Sequence, residues 1–237
     1  MKRQSSLLTA LATLLTSILI LAGSTFGDEG QWTGDSGIDL NWNTTNNWVD
    51  GIMPATGDHA SFRGLTNATG NAMAELTTAA TIGNLRLGGY GAASIHGTPT
   101  LTLKTGSALT GTANAQVGYS LVQDEAAAVG NLIIEEGTHS FPSLNIGNVA
   151  GDTNPYNATG TVTIEDGNLN LSSILRLGTR AATATGSATG TLTLNGGSLS
   201  NTNAGVGAYL GHYDAGTLAL NGGDAIFAGE LKLANLA

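Results

Sequence analysis

Residues 189–199 read T-G-T-L-T-L-N-G-G-S-L, a short strand of alternating threonine and leucine that closes on glycine. The same kind of strand occurs four more times. The five copies read L-T-L-K-T-G from Leu101, L-I-I-E-E-G from Leu132, V-T-I-E-D-G from Val162, L-T-L-N-G-G from Leu192 and L-A-L-N-G-G from Leu218. They begin 31, 30, 30 and 26 residues apart. A period of this size is typical of stacked repeats.

Two further sets of strands follow the same period. The second set reads L-R-L-G from Leu85, A-Q-V-G from Ala115, L-N-I-G from Leu144, L-R-L-G from Leu175 and A-Y-L-G from Ala208. A third, weaker set covers Ala108 to Thr110, Thr138 to Phe141, Asn168 to Leu171, Ser198 to Ser200 and Ala225 to Phe227. Three strands per roughly 30 residues, with glycine at the corners, predict an all-β fold, a right-handed parallel β-helix of about five coils. A β-sandwich would not explain why one strand recurs at this period.

Strand side chains alternate between two faces, so the second set can be divided into inward and outward residues. The residues before the corner glycine are predicted to form one inward ladder: Leu87, Val117, Ile146, Leu177 and Leu210. The outward column reads Arg86, Gln116, Asn145, Arg176 and Tyr209.

The N-terminus has the pattern of a secretory signal peptide over residues 1–24. Lys2 and Arg3 precede an apolar stretch from Leu7 to Ala22, and small residues follow. An uncleaved membrane anchor is the alternative, but the stretch is shorter than the roughly 20 apolar residues that span a bilayer. The sequence therefore predicts a secreted or cell-surface protein without a membrane span after cleavage.

Residues 28–70 contain all three tryptophans, Trp32, Trp42 and Trp48. An aromatic segment ahead of the first coil can cover the open end of the core, so we expect an N-terminal cap, with a sugar-binding platform as the alternative. Residues 76–237 are assigned to the repeats. The alternating residues 231–233 have no polar cap after them, which predicts a repeat domain truncated at its C-terminus and end-to-end self-association.

Composition narrows the classes of partner. The chain has 8 Lys and Arg against 17 Asp and Glu. Removing Lys2 and Arg3 leaves 6 against 17, a net charge of −11. Nucleic acid and anionic membranes are disfavoured by this charge. The chain has no cysteine, so disulfides and thiolate chemistry are excluded.

The segment from Trp32 to Phe62 contains N-W-N-T-T-N-N-W, then a proline, then G-D-H-A-S-F. With coils such as T-I-G-N-L-R-L-G-G, it resembles secreted bacterial exoproteins that carry autotransporter-associated β-strand repeats, including the PEP-CTERM-type surface proteins of planctomycete-like and verrucomicrobial bacteria. The resemblance covers roughly residues 31 to 230. It implies an extracellular structural or adhesive role. We expect this chain to depart from the pattern by lacking the carboxy-terminal sorting helix and a membrane barrel.

One group of carboxylates is a candidate metal site. The repeat places Glu135 beside Glu165 and Glu136 beside Asp166, and oxygen-rich clusters of this kind bind Ca²⁺. The alternative is a solvated acidic face. No other cofactor is predicted.

Catalytic residues are not predicted. Arg86 and Arg176 lie three coils apart, too far to share a substrate, and the four histidines stand singly, which favours surface roles for His59, His96, His139 and His212. The sequence therefore predicts a non-enzymatic extracellular or cell-surface structural and adhesive protein, with glycans or neighbouring cell surfaces as partners. The alternative is a carbohydrate-binding module or a polysaccharide-active enzyme.

Overall fold

The computed structural model describes residues 29–34, 39–62, 73–88, 98–120, 127–151 and 153–235. These ranges form twenty β-strands and two short 3-10 helices, Thr45–Asn47 and Val49–Gly51. The strands are β1 (Glu29–Gln31), β2 (His59–Phe62), β3 (Met73–Leu76), β4 (Ala79–Ile82), β5 (Leu85–Leu87), β6 (Thr100–Leu103), β7 (Ala108–Gly111), β8 (Ala115–Ser120), β9 (Ala128–Ile134), β10 (Thr138–Phe141), β11 (Leu144–Val149), β12 (Ala158–Ile164), β13 (Asn168–Leu171), β14 (Leu175–Arg180), β15 (Ala188–Leu194), β16 (Ser198–Asn201), β17 (Val206–His212), β18 (Ala215–Leu220), β19 (Asp224–Phe227) and β20 (Glu230–Asn235). The predicted signal peptide at residues 1–24 lies outside the described residues, as does His96.

The strands form three parallel sheets that run side by side. Sheet I contains β3, β6, β9, β12, β15 and β18 in that order, and sheet II contains β4, β7, β10, β13, β16 and β19. Sheet III contains β1, β2, β5, β8, β11, β14, β17 and β20. From β3 onward the chain visits sheets I, II and III once per turn, which gives a β-helix of about six turns. The predicted β-helix is therefore confirmed.

The structure has one turn more than the five coils counted from the repeats. Within these turns, the strands beyond the three predicted sets are β3 and β4, which precede β5, and β20, which follows the last predicted strand. Ala74 and Leu76 of β3 lie in register with Leu101 and Leu103 of the next turn. The strand reads M-A-E-L and is not followed by the glycine that marks the later copies, so its sequence does not show the repeat.

The predicted inward ladder is confirmed. Leu87, Val117, Ile146, Leu177 and Leu210 are paired in register in that order. Phe62 extends the ladder at one end and Leu233 extends it at the other. The first four of the five predicted residues are fully buried, and Leu210 packs against the same core.

The Trp-rich segment packs as a cap. Trp32, Trp42 and Trp48 are at most 2 % exposed, and all three belong to the main core. The Trp48 ring lies 5.2 Å from Trp32 and 4.9 Å from Trp42 in edge-on geometry, and Phe62 is within 5.7 Å of each tryptophan ring. The Trp48 indole N–H donates to the Trp42 carbonyl at 2.7 Å. Because β1 and β2 extend sheet III, the cap is continuous with the first turn.

Two interlocking glycine columns form the corner between sheets III and I. One column, with positive φ, comprises Gly88, Gly118, Gly147, Gly178 and Gly211. The other comprises Gly130, Gly160, Gly190 and Gly216. A Cβ at Gly160 would overlap the carbonyl of Val117, and Gly147 has φ 63°. Only glycine allows both the backbone conformation and the close approach.

The connections of variable length leave the coil at this same corner. Those that the structure describes are 150–157, apart from residue 152, 181–187 and 213–214. Beside the longer connections a small second core forms from Val149, Ala158, Ala184 and Ala188. The two-residue connection after β17 explains why the last repeat is only 26 residues long.

The last described turn is much less buried than the others. Its exposed apolar side chains include Leu220, Ile226, Leu231 and Leu233, and Leu233 is 69 % exposed. The two ends of the β-helix therefore differ: aromatic rings cover the first turn, and apolar side chains of the last turn face solvent.

Candidate binding face

The predicted group of carboxylates, Glu135, Glu136, Glu165 and Asp166, lies at the end of sheet I. Parallel pairing of β9 with β12 puts Glu165 next to Glu135, and the Glu165 amide donates to the Ile134 carbonyl at 2.8 Å. Their side chains bond to neighbours on opposite sides. Lys104 Nζ is 2.9 Å from Glu135 Oε1, and Asn195 Nδ2 donates to Glu165 Oε2 at 3.0 Å.

The structure does not bring these carboxylates together around a common centre. In the described ranges no group of three or more histidine, aspartate or glutamate side chains is arranged to hold a metal ion. Glu136, Glu165 and Asp166 are exposed, and Glu135 is engaged by Lys104, which also lies 3.5 Å from Glu75. The geometry is that of a solvated polar ladder.

His139 is fully buried, so the prediction of a surface role for it is wrong. Its Nδ1 accepts a hydrogen bond from the Leu109 amide at 3.0 Å, and its Nε2 lies 2.8 Å from the Glu136 carbonyl. These partners require a neutral imidazole protonated on Nε2. Burial lowers the pKa of His139 below its usual range.

His59 is half-buried beside the cap. Its Nδ1 lies 2.6 Å from Asn84 Nδ2, which can only donate. Burial, and then the charge of Arg86, lower the pKa of His59. Both His59 and His139 therefore serve packing and hydrogen bonding.

The outer face of sheet III carries the predicted outward column. Arg86, Gln116, Asn145, Arg176, Tyr209 and Lys232 are paired in register in that order. Arg86 and Arg176 are three strands apart, as predicted. Five Lys and Arg lie in the described residues, and all except Lys104 belong to strands of this sheet. Among the described residues, Arg86, Arg176 and Lys232 thus share the outward column of this face.

Near its C-terminal end this face carries a compact aromatic group. The Tyr209 ring lies 4.7 Å from the His212 ring, and His212 lies 4.5 Å from the Tyr213 ring. Lys232 Nζ is 5.7 Å from the centre of the Tyr209 ring. Burial, and then the charge of Arg176, lower the pKa of His212, so its imidazole is neutral at pH 7. We name Arg176, Tyr209, His212, Tyr213 and Lys232 the aromatic corner.

Two charged residues hold the turn of the aromatic corner. Tyr213 has φ 75°, an unusual conformation for a non-glycine residue. Arg180 Nη2 donates to the Tyr213 carbonyl at 3.4 Å, and Arg180 Nε lies 3.7 Å from Asp214 Oδ2. Asp214 also accepts the Ala188 amide at 2.6 Å. Arg180 and Asp214 therefore hold the backbone of the turn at Tyr213.

A second surface feature lies between sheets II and III. It is an open depression of about 210 Å³. Phe141 and Leu171 form its floor, with Ser140 and Asn170 beside them. No ionisable side chain lines it, so it offers hydrogen bonds and apolar contact but no acid or base.

Comparison of the chain with protein-family models, curated proteins and solved structures gave no match. Among the described residues, no helix has the length and apolar character needed to cross a membrane. The sequence indicated Tyr209 as outward-facing, but it did not indicate that His212 packs against Tyr209 and Tyr213 against His212 beside a shortened connection.

Proposed function

We propose that this chain is a non-enzymatic extracellular or cell-surface protein, in which a rigid β-helix presents flat polar faces to glycans or to neighbouring cells. Export is supported by the sequence of residues 1–24, and the acidic charge disfavours nucleic acid and anionic membranes.

The regular ladder of polar side chains is the observation that carries the proposal. Ser198 Oγ donates to Asn168 Oδ1 at 2.6 Å on sheet II, and Asn221 Nδ2 donates to Asn195 Oδ1 at 2.9 Å at the end of sheet I. Successive strands repeat such groups about every 4.8 Å. A rigid row of hydroxyls and amides suits a long ligand rich in hydroxyls, because little side-chain entropy is lost on binding.

The proposal is tested with the purified protein and two assays. In the first, the protein is co-sedimented with insoluble bacterial cell-wall polysaccharide and with whole cells. In the second, the same polysaccharides are assayed for new reducing ends and for unsaturated products. We expect retention in the pellet without product release. Turnover that persists through purification would contradict the non-enzymatic assignment, and absence from every pellet would contradict the adhesive one.

A further inference from the structure

We propose that the aromatic corner binds an acidic glycan, with the sugar ring against Tyr209 and Tyr213 and its anionic group on Arg176 and Lys232. The inference rests on the proposed function, which it makes specific in ligand and place.

The charge pattern selects an anionic ligand. Arg176 contacts the neutral Asn145 amide oxygen at 3.4 Å, and no acidic side chain of the described residues lies within ion-pair distance of it. Arg180 is paired with Asp214 inside the turn, and Lys232 lies 3.6 Å from the exposed Glu230. Of Arg176, Arg180 and Lys232, Arg176 thus has the least local compensation, and guanidinium groups bind carboxylates and sulfates in bidentate geometry.

The aromatic residues select a ligand with flat apolar faces as well as charge. Tyr209 lies between Arg176 and Lys232 in the register, about one strand spacing from each along the sheet, and Lys232 Nζ lies 5.7 Å from the centre of the Tyr209 ring. Tyr209, His212 and Tyr213 are each partly exposed. Tyrosine rings offer an apolar face together with a polar hydroxyl. A sugar ring bearing a carboxylate or sulfate matches both requirements.

The corner is also preorganised. The strained turn at Tyr213 is held by Arg180 and Asp214, and the connection at this position is only two residues long. At the preceding turns a longer connection occupies the same corner. The short connection leaves the two tyrosines accessible, and strained residues of this kind occur preferentially at ligand sites.

The experiment measures binding of the purified chain by isothermal titration calorimetry. The probes are a hexameric oligogalacturonate, a heparin-derived hexasaccharide and neutral maltohexaose. The variants are Arg176→Gln and Tyr209→Ala, with Lys104→Gln as the charge control on another face and Tyr156→Ala as the aromatic control. Thermal melting verifies that each variant is folded, and Arg176→Gln decides the result if Tyr209→Ala does not fold.

We expect at least one anionic probe to bind and maltohexaose not to bind. Each corner variant should weaken binding about tenfold, because Arg176→Gln loses a charge-assisted contact and Tyr209→Ala loses the apolar face of the ring, and each control should stay within about twofold. Binding of the oligogalacturonate shows that a carboxylate is sufficient. Binding of the heparin fragment alone indicates that sulfate is required, because that fragment carries carboxylates as well. Equal weakening by Lys104→Gln, equal binding of maltohexaose, or no binding of either anionic probe would overturn the inference. If cell-wall retention persists unchanged in Arg176→Gln, the proposed function stands and this inference falls.

Discussion

His139 occupies an inward position at which the next coil carries Leu169, with which it is paired in register. Its ring replaces a backbone acceptor for the Leu109 amide and donates to the Glu136 carbonyl. Protonation would place an N–H donor against the Leu109 N–H, so the folded protein requires the neutral form. The unfolded chain has no such requirement.

His139 should make stability depend on pH. Its pKa is lowered in the folded state, so the contribution is complete above pH 6.5 and declines as pH falls from 6.5 toward the folded pKa. His139→Leu should flatten this part of the profile. It should also cost about 2 kcal/mol at pH 7.5, because Leu109 N–H and the Glu136 carbonyl lose their partner. Urea titrations between about pH 4.5 and 7.5 measure both effects. A variant profile parallel to that of the wild type would contradict this role.

Glu135 and Glu165 place like charges on neighbouring strands, at a spacing of about 4.8 Å. Glu165→Gln removes one charge and keeps an acceptor for Asn195. We expect it to stabilise the fold by about 0.2–0.5 kcal/mol at low salt, with the gain lost at high salt. Thermal melting at two salt concentrations tests this, with Glu230→Gln as a control. A large rise in the wild-type melting temperature on adding Ca²⁺, absent in Glu165→Gln, would instead indicate a metal site.

The glycine corner between sheets III and I should not tolerate a side chain. Gly160→Ala should destabilise the β-helix by about 2–3 kcal/mol, because its methyl group would overlap the Val117 carbonyl, which cannot move without breaking the ladder. Gly207→Ala is the matched control, since its nearest neighbour would be 3.7 Å away and its φ is not positive. Equal denaturation midpoints for the two variants would show that the corner tolerates a side chain.

Most strands could be predicted from the sequence because each pairs with a near copy of itself. Leu101, Leu132 and Val162 are predicted strand starts that fall within the observed strands β6, β9 and β12. The strands β3 and β4 could not be counted, because β3 lacks the glycine that marks the later copies. The strand β3 pairs with β6 and is stabilised by burial of Ala74 and Leu76. These two apolar residues alone are a weaker sequence pattern than the alternating strands that end in glycine.

The candidate site was less predictable than the fold. Register fixes Arg176, Tyr209 and Lys232 in one column, and the sequence period shows this column as far as Tyr209. His212 and Tyr213 join it through an irregular turn with positive φ at Tyr213, and this geometry has no repeat to reveal it. His139 was predicted to lie at the surface because a histidine at an inward position interrupts the alternation of apolar and polar residues.

The tryptophan cap should be required for the β-helix to remain soluble. Deleting residues 29–62 removes β1, β2 and the tryptophan cluster, and exposes the edge of sheet III at β5. We expect aggregation and a lower melting temperature. Light scattering and circular dichroism measure both. A soluble monomer of unchanged stability that no longer binds glycans would favour the alternative, in which the tryptophans form a sugar-binding platform.

The opposite end should mediate self-association. Leu220, Ile226 and Leu233 are exposed there, whereas the tryptophans cover the other end. Because only one end of the β-helix is adhesive, two copies associate through a symmetric contact that uses the adhesive end of both. No adhesive end is then left to add a third copy, so longer chains do not form. Sedimentation should show a concentration-dependent dimer. Leu233→Glu should abolish it and Met53→Glu, at the capped end, should not. A monomer at all concentrations, or an open series of oligomers, would contradict this arrangement.

The six stacked turns also determine how far the protein can reach. Each turn uses roughly 30 residues to advance about 4.8 Å, which is about 0.16 Å per residue, against 1.5 Å for an α-helix. The six turns together advance only about 29 Å. A chain that needed height above a surface would gain it far more economically as a helix. What this architecture provides per residue is surface area, on three rigid sheet faces whose side chains hold fixed positions. Evolutionary selection on such a molecule therefore acts on the partners that these faces contact.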